Sequence, residues 1–104
     1  MKTYKIAAVD AVRYPVLSVT FDDGFGGEID LSGDIRPGSL FEPLSDRHLF
    51  GSVAVAPNGR SLGWNLGEVG REIDLGADSL RIDIETNHVR QMAKRFREQR
   101  PAAE

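Results

Sequence analysis

Three groups of side chains in this 104-residue sequence have the types and spacing for chemistry. Asp22, Asp23, Glu28 and Asp30 gather around one glycine-rich turn. Oxygen-rich sets of this kind suit hard divalent cations, or paired carboxylates working as acid and base. Gly59-Arg60-Ser61-Leu62-Gly63 spells the G-x-S-x-G pattern of a nucleophile elbow. Arg90, Lys94, Arg97 and Arg100 alternate with Met92 and Phe96 in a basic amphipathic segment, suited to a partner protein or a phosphate backbone.

The first two signals weaken when the mechanics are applied. An EF-hand loop needs acidic residues at positions 1, 3 and 5, glycine at 6 and glutamate at 12, and residues 22–33 do not supply them. The elbow needs a strand-to-helix turn that lifts its serine over an α/β sheet, whereas Ser61 follows Asn58-Gly59 inside a hairpin signal. His48 and His88 stand 40 residues apart, without the H-E-x-x-H of a zinc helix. No G-x-G-x-x-G or G-x-x-x-x-G-K-[ST] is present, and Gly24, Gly26 and Gly27 lie between strands rather than before a helix. Without any cysteine there is neither a disulfide framework nor a thiolate nucleophile. The residue supply reads against an enzyme and against a resident cofactor or metal.

The third signal gains from the charge distribution. Residues 1–87 hold 8 basic and 14 acidic side chains, and residues 88–104 hold 5 basic and 2 acidic. An acidic body thus ends in a basic tail, the asymmetry expected of a surface that meets another molecule. A sequence pI near 5.4 and the lack of an aromatic stacking run disfavour nucleic acid as that molecule. No apolar run approaches the roughly 18 residues of a membrane span. Asp10 and Arg13 interrupt what would be a signal-peptide core, so the expectation is a cytoplasmic chain without membrane contact.

The elements that must carry these residues follow from periodicity. Tyr4–Val12 and Val16–Phe21 read as strands, the second with Leu17, Val19 and Phe21 alternating against Ser18 and Thr20. Asp22 to Gly27 supplies turn residues, and Glu28-Ile29-Asp30-Leu31 returns as the partner strand. Ser39, three residues before Glu42, has capping-box spacing and predicts a short helix through Leu44. Strand character returns from Leu49 to Ala56, Pro57-Asn58-Gly59 turns, and Ser61–Leu66 comes back with Leu62, Trp64 and Leu66 on one face. A short strand is expected at 72–75 and a helical turn at 78–83, although Leu80, Ile82 and Ile84 also alternate like a strand. Val89, Met92, Ala93 and Phe96 fall at i, i+3, i+4 and i+7, one stripe of a helix over 88–99 that Thr86-Asn87 would cap. That stripe is expected to pack on the sheet of its own chain, because an isolated helix of about 12 residues is marginal in water.

Several of these segments taken together resemble the bacterial domain-of-unknown-function family numbered 2442. The resemblance is carried by Leu17 to Gly24, Gly27-Glu28-Ile29-Asp30-Leu31, Phe41 to Asp46, Phe50, Leu62-Gly63-Trp64, and Ile73-Asp74-Leu75 ahead of Asp78-Ser79-Leu80. It covers roughly residues 4–82 and implies a small α+β domain without an established activity. Some members of that family carry a helix-turn-helix region or are encoded beside possible toxin partners, which implies regulation or partner binding. No catalytic residue transfers.

The expected architecture is α+β: an antiparallel sheet of four to six strands, one short internal helix and a C-terminal amphipathic helix. Residues 1–85 would form the sheet body, and 86–104 its basic helix and tail. The expected role is a non-enzymatic interaction or regulatory module, toxin–antitoxin-like or homodimeric. Arg90, Lys94, Arg97, Arg100, Met92 and Phe96 would touch the partner, an unknown protein or a second copy. The alternatives are a small metal-dependent enzyme built on the Asp22–Asp30 turn, or a nucleic-acid binder using the basic helix.

Overall fold

A computed structural model describes the backbone of residues 3–99 and the side chains of residues 3–95. The alternation in the first third of the sequence becomes a meander. β1 (Ile6–Arg13), β2 (Val16–Phe21) and β3 (Gly26–Asp30) pair antiparallel in the order β1-β2-β3. Leu17, Val19 and Phe21 turn inward and are buried, while Thr20 faces water, so a period of two separates wet from dry. Gly24 closes the β2–β3 turn at φ +90°, a conformation glycine takes without a Cβ penalty.

The second half of the chain builds another small sheet. β4 (Ala54–Val55), β5 (Ser61–Trp64) and β6 (Ile73–Gly76) run antiparallel in the order β4-β5-β6. The Asn58-Gly59 hairpin forms as its residues predict, with Gly59 at φ +73° and the Asn58 side chain accepting the Arg60 amide at 2.9 Å. The α+β class therefore holds, but the strands form two three-stranded sheets rather than one larger sheet. β4 is two residues long and β1 is broken by register shifts beside it. Neither strand offers the regular edge that a continuous ladder needs. The sheets meet instead through residues 5 and 6: the Ile6 amide donates to the Gly59 carbonyl at 2.7 Å, and the Lys5 carbonyl accepts from the Asp22 amide at 2.9 Å.

Between the sheets the chain departs from the expected single helix and strand. The Ser39 capping box does not form. The Ser39 hydroxyl donates to the Asp34 carbonyl at 2.8 Å, and the Glu42 carboxylate reaches back to the Gly38 amide at 3.1 Å. A 3-10 turn (Glu42–Ser45) follows, with Pro43 in its first turn, and then α1 (Arg47–Phe50). Residues 49 and 50 are thus helical rather than extended. The cause is Asp46, whose carboxylate accepts the amides of His48 and Leu49 at 2.9 and 3.3 Å.

One core joins the layers: Ile6, Leu17, Val19, Phe21, Leu31, Leu44, Phe50, Leu62, Trp64, Ile73, Ala77, Leu80 and Ile84. Trp64 is completely buried, as its alternation with Leu62 predicts, and its indole N–H donates to the Phe50 carbonyl at 2.9 Å. The final element is α2 (Ala77–Gln99), a single helix of 23 residues. The expected helical turn at 78–83 and the helix at 88–99 are one element. Thr86-Asn87 lies in its middle instead of capping it, and the body-to-tail boundary at 85/86 falls inside it.

α2 lies against β3, and glycine makes the approach possible. A Cβ on Gly27 would meet Ile84 Cγ2 at 2.5 Å. Gly27→Ala should therefore destabilise the fold by about 1–3 kcal/mol, as overpacking does. Gly33→Ala, where a Cβ meets open space, should change stability by less than about 0.5 kcal/mol. Trp64→Ala, which opens a cavity and removes the indole's hydrogen bond to the Phe50 carbonyl, should cost about 3–5 kcal/mol. Urea unfolding of the three variants checks the order; an equal loss for both glycine variants would mean that α2 does not seat on Gly27.

Candidate interaction surface

The site depends on how α2 is set against the body. Its first residue follows β6 directly, and the Ala77 amide donates to the Arg60 carbonyl at 2.8 Å. One residue on, the Asp78 carboxylate accepts the Tyr4 amide at 3.1 Å. Leu80 and Ile84, four apart and so on one helix face, fill the core.

Arg81 completes the setting, and it is the buried charged residue of the described chain, 8% exposed. Its guanidinium carbon lies 4.4 Å from the Tyr4 ring centroid, 5.1 Å from Phe21 and 4.1 Å from Phe25. Nη1 donates to both Asp23 oxygens at 3.1 and 2.9 Å, and Nε donates to Glu85 at 2.8 Å. Burial pulls the guanidinium pKa down, but the hydrogen bonds and charges of Glu85 and Asp23 outweigh it and leave it above the ordinary arginine value. A planar cation with fixed donors suits this cage, since its faces stack on rings while its edge binds carboxylates.

This geometry answers the question posed by the acidic turn. Asp23 belongs to the Arg81 clamp, and it also accepts the Phe25 amide at 3.1 Å. Glu28 faces Arg13 across the sheet at 3.2 Å, and the Asp30 carboxylate accepts the Ser32 amide at 2.8 Å. Among the described residues no three histidine, cysteine, aspartate or glutamate side chains come together as metal ligands. Ser61 sits in β5, within the hairpin sheet, with no elbow around it. His48 is exposed on α1, and the His88 ring lies against Phe25 at 5.2 Å.

The same clamp decides where the apolar stripe of α2 points. Successive residues turn by about 100°, so a helix that buries Leu80, Arg81 and Ile84 turns Ile82 and Val89 away from the body, while Met92, three turns beyond Arg81 and on nearly its side, lies past the end of the contact. Ile82 is 61% exposed, and Val89 and Met92 are each 65% exposed. Of the expected stripe, Val89, Met92 and Ala93 therefore do not pack on the sheet of their own chain. The expectation failed because the core face of α2 is a second, separate apolar face that covers only its first half. Ile82, Glu85, Thr86, Val89 and Arg90 line an open groove of about 410 Å3 on the free side.

Of the residues expected to touch a partner, Met92, Arg90 and Lys94 are exposed on the projecting half of α2. The side chains of Phe96 and Arg97, and the whole of Arg100, lie outside the described residues. Ile82 belongs to the surface but escaped the sequence reading. Its spacing of seven from Val89 was the available signal.

Two outcomes test the clamp and the turn. Arg81→Met keeps the apolar stem but removes the charge and its hydrogen bonds to Asp23 and Glu85; it should lower the melting temperature, and Arg81→Lys should restore only part of the loss. The hydrogen bonds from Ser32 and the charge of Arg13 hold the Asp30 carboxyl below the ordinary value of 3.8. A depressed carboxyl contributes stability above its unfolded pKa and loses it as pH falls through the lowered folded value. Carboxyl NMR titration should place Asp30 below 3.8 and move it up toward that value in a Ser32→Pro variant, which has no amide to donate.

The chain was compared with protein-family models, curated proteins and solved structures, and none of them matches it.

Proposed function

We propose that this protein is a non-catalytic interaction module whose working surface is the free apolar face of α2. The observation that carries the proposal is the exposure of Ile82, Val89 and Met92 on a helix that Leu80, Arg81 and Ile84 anchor in the core. Single exposed apolar residues are ordinary, but an aligned set on a projecting element is how partner-binding surfaces are built. The rim supports the reading. Arg90 lines the groove beside Val89, and Lys94, four residues on, shares its side of the helix.

The polar side chains point the same way. The acidic turn, which would serve a metal-dependent enzyme, is divided among Arg81, Arg13 and Ser32. The buried side-chain nitrogen and oxygen atoms of the described residues all have hydrogen-bond partners. Regulation through a bound partner is also what the resemblance to the family numbered 2442 implies, and membership of that family is part of the proposal.

Paired variants test it. Val89→Glu combined with Met92→Glu changes only exposed side chains, so circular dichroism and the melting temperature should stay close to those of the parent. Immobilised parent protein should retain specific proteins from a bacterial lysate, or added copies of itself, and the double variant should lose them. Equal retention by both forms would remove α2 as the working surface.

A further inference from the structure

Resting on that reading, we infer that the occupant of the free α2 face is a second copy of this chain, its α2 running antiparallel and crossing near Val89. Two observations fix the occupant and its direction. The first is spacing. Ile82 and Val89 are seven residues apart with Met92 three further on, and the sequence places Phe96 seven beyond Val89. A seven-residue apolar repeat with an intermediate residue three or four positions on is the seam that one helix offers another helix. The outer positions of the repeat stand equally far to either side of Val89, so the seam is its own complement about that residue. A two-fold contact requires this self-complementarity.

The second observation is charge. Residues 77–88 of α2 carry Asp78, Asp83 and Glu85 against Arg81, giving −2. Residues 89–99 carry Arg90, Lys94, Arg95 and Arg97 against Glu98, giving +3. Arg81 is already bound within the body, so the acidic half offers a partner mainly the exposed side of Glu85, about 40° from Val89 around the helix. A parallel pair would set one basic half beside the other. An antiparallel pair sets each basic half beside an acidic half, and opposite charges across an interface fix orientation in this way.

The chain has no cysteine, so single introduced thiols report the geometry without background. At micromolar concentration and low salt, sedimentation equilibrium should give twice the 11.4 kDa mass of one chain. Val89→Glu with Met92→Glu should weaken self-association by about tenfold or more, with an unchanged circular dichroism spectrum. Under mild oxidation Val89→Cys should form a disulfide dimer, its two copies meeting at the crossing point. Ile82→Cys should not, since in the antiparallel pair its two copies lie about 21 Å apart along the axis. Added salt should weaken the pair, because it screens the attraction between unlike halves.

A disulfide dimer of Ile82→Cys, or self-association that tightens with salt, would overturn the antiparallel arrangement. A parent chain that stays monomeric to about 100 μM would overturn self-pairing altogether. If that monomer still captured another protein through Val89 and Met92, only the identity of the occupant would have failed. Loss of both kinds of association would sink the docking surface itself.

Discussion

A single guanidinium decides the geometry of this protein. Arg81 joins three parts of the chain that are far apart in sequence: the entry to β1 through Tyr4, the β2–β3 turn through Phe21, Asp23 and Phe25, and the helix that carries Arg81 itself. Moving a cation into a nearly dry site costs several kcal/mol, and the cost is offset only when its donors are used and its faces are covered. Both conditions are met here. The consequence is specificity as much as stability: the cage accepts the guanidinium in one orientation, and the rotation of α2 about its axis is thereby set. An apolar residue in place of Arg81 would leave the helix freer to roll on β3. Ile82 and Val89 would then have no fixed direction.

The approach of the helix and the exposure of its outer face are two sides of the same packing. Gly27 allows Ile84 to sit close on β3, which brings Arg81 within reach of the turn. Only the first half of α2 gains from that contact. The second half continues as helix because extending an existing helix needs far less than nucleating one, and the buried turns at Leu80 and Ile84 serve as the nucleus. On the proposed reading, a binding face built in this way is ordered before any partner arrives. Less conformational entropy is then lost on association than a disordered tail of the same sequence would lose.

The sequence made some of this legible and hid the rest for physical reasons. The β2–β3 meander, the Asn58-Gly59 hairpin and the buried Trp64 were readable because local rules and tertiary packing agree there. α2 was read in two pieces because it has two apolar faces: Leu80, Ile82 and Ile84 look like strand alternation when Leu80 and Ile84 serve the core while Ile82 serves the outside. Ser39 and Glu42 have the spacing of a capping box, yet a loop bond to Asp34 takes the serine hydroxyl. The cap that does form, at Asp46, precedes a helix of only four residues, too short to show a period. Arg81 was invisible as a core residue because arginine is almost never fully buried unless paired. Only its i,i+4 relation to Glu85 hinted at an anchor, and that pattern is common on solvated helices.

The acidic turn shows how the same residues can be spent on structure or on chemistry. Asp22, Asp23, Glu28 and Asp30 could work as a unit only if their carboxylates converged, and convergence of like charges needs a cation to hold it. In this fold cations of the chain itself, Arg81 first among them, divide the turn's carboxylates. Arg81 takes Asp23 out of the group, Arg13 draws Glu28 across the sheet, and the Ser32 amide holds Asp30. The carboxylates of the turn are thus committed to contacts within the chain. On the outer face of α2 apolar surface stays in water, and under the proposed reading its removal from water supplies the free energy of association.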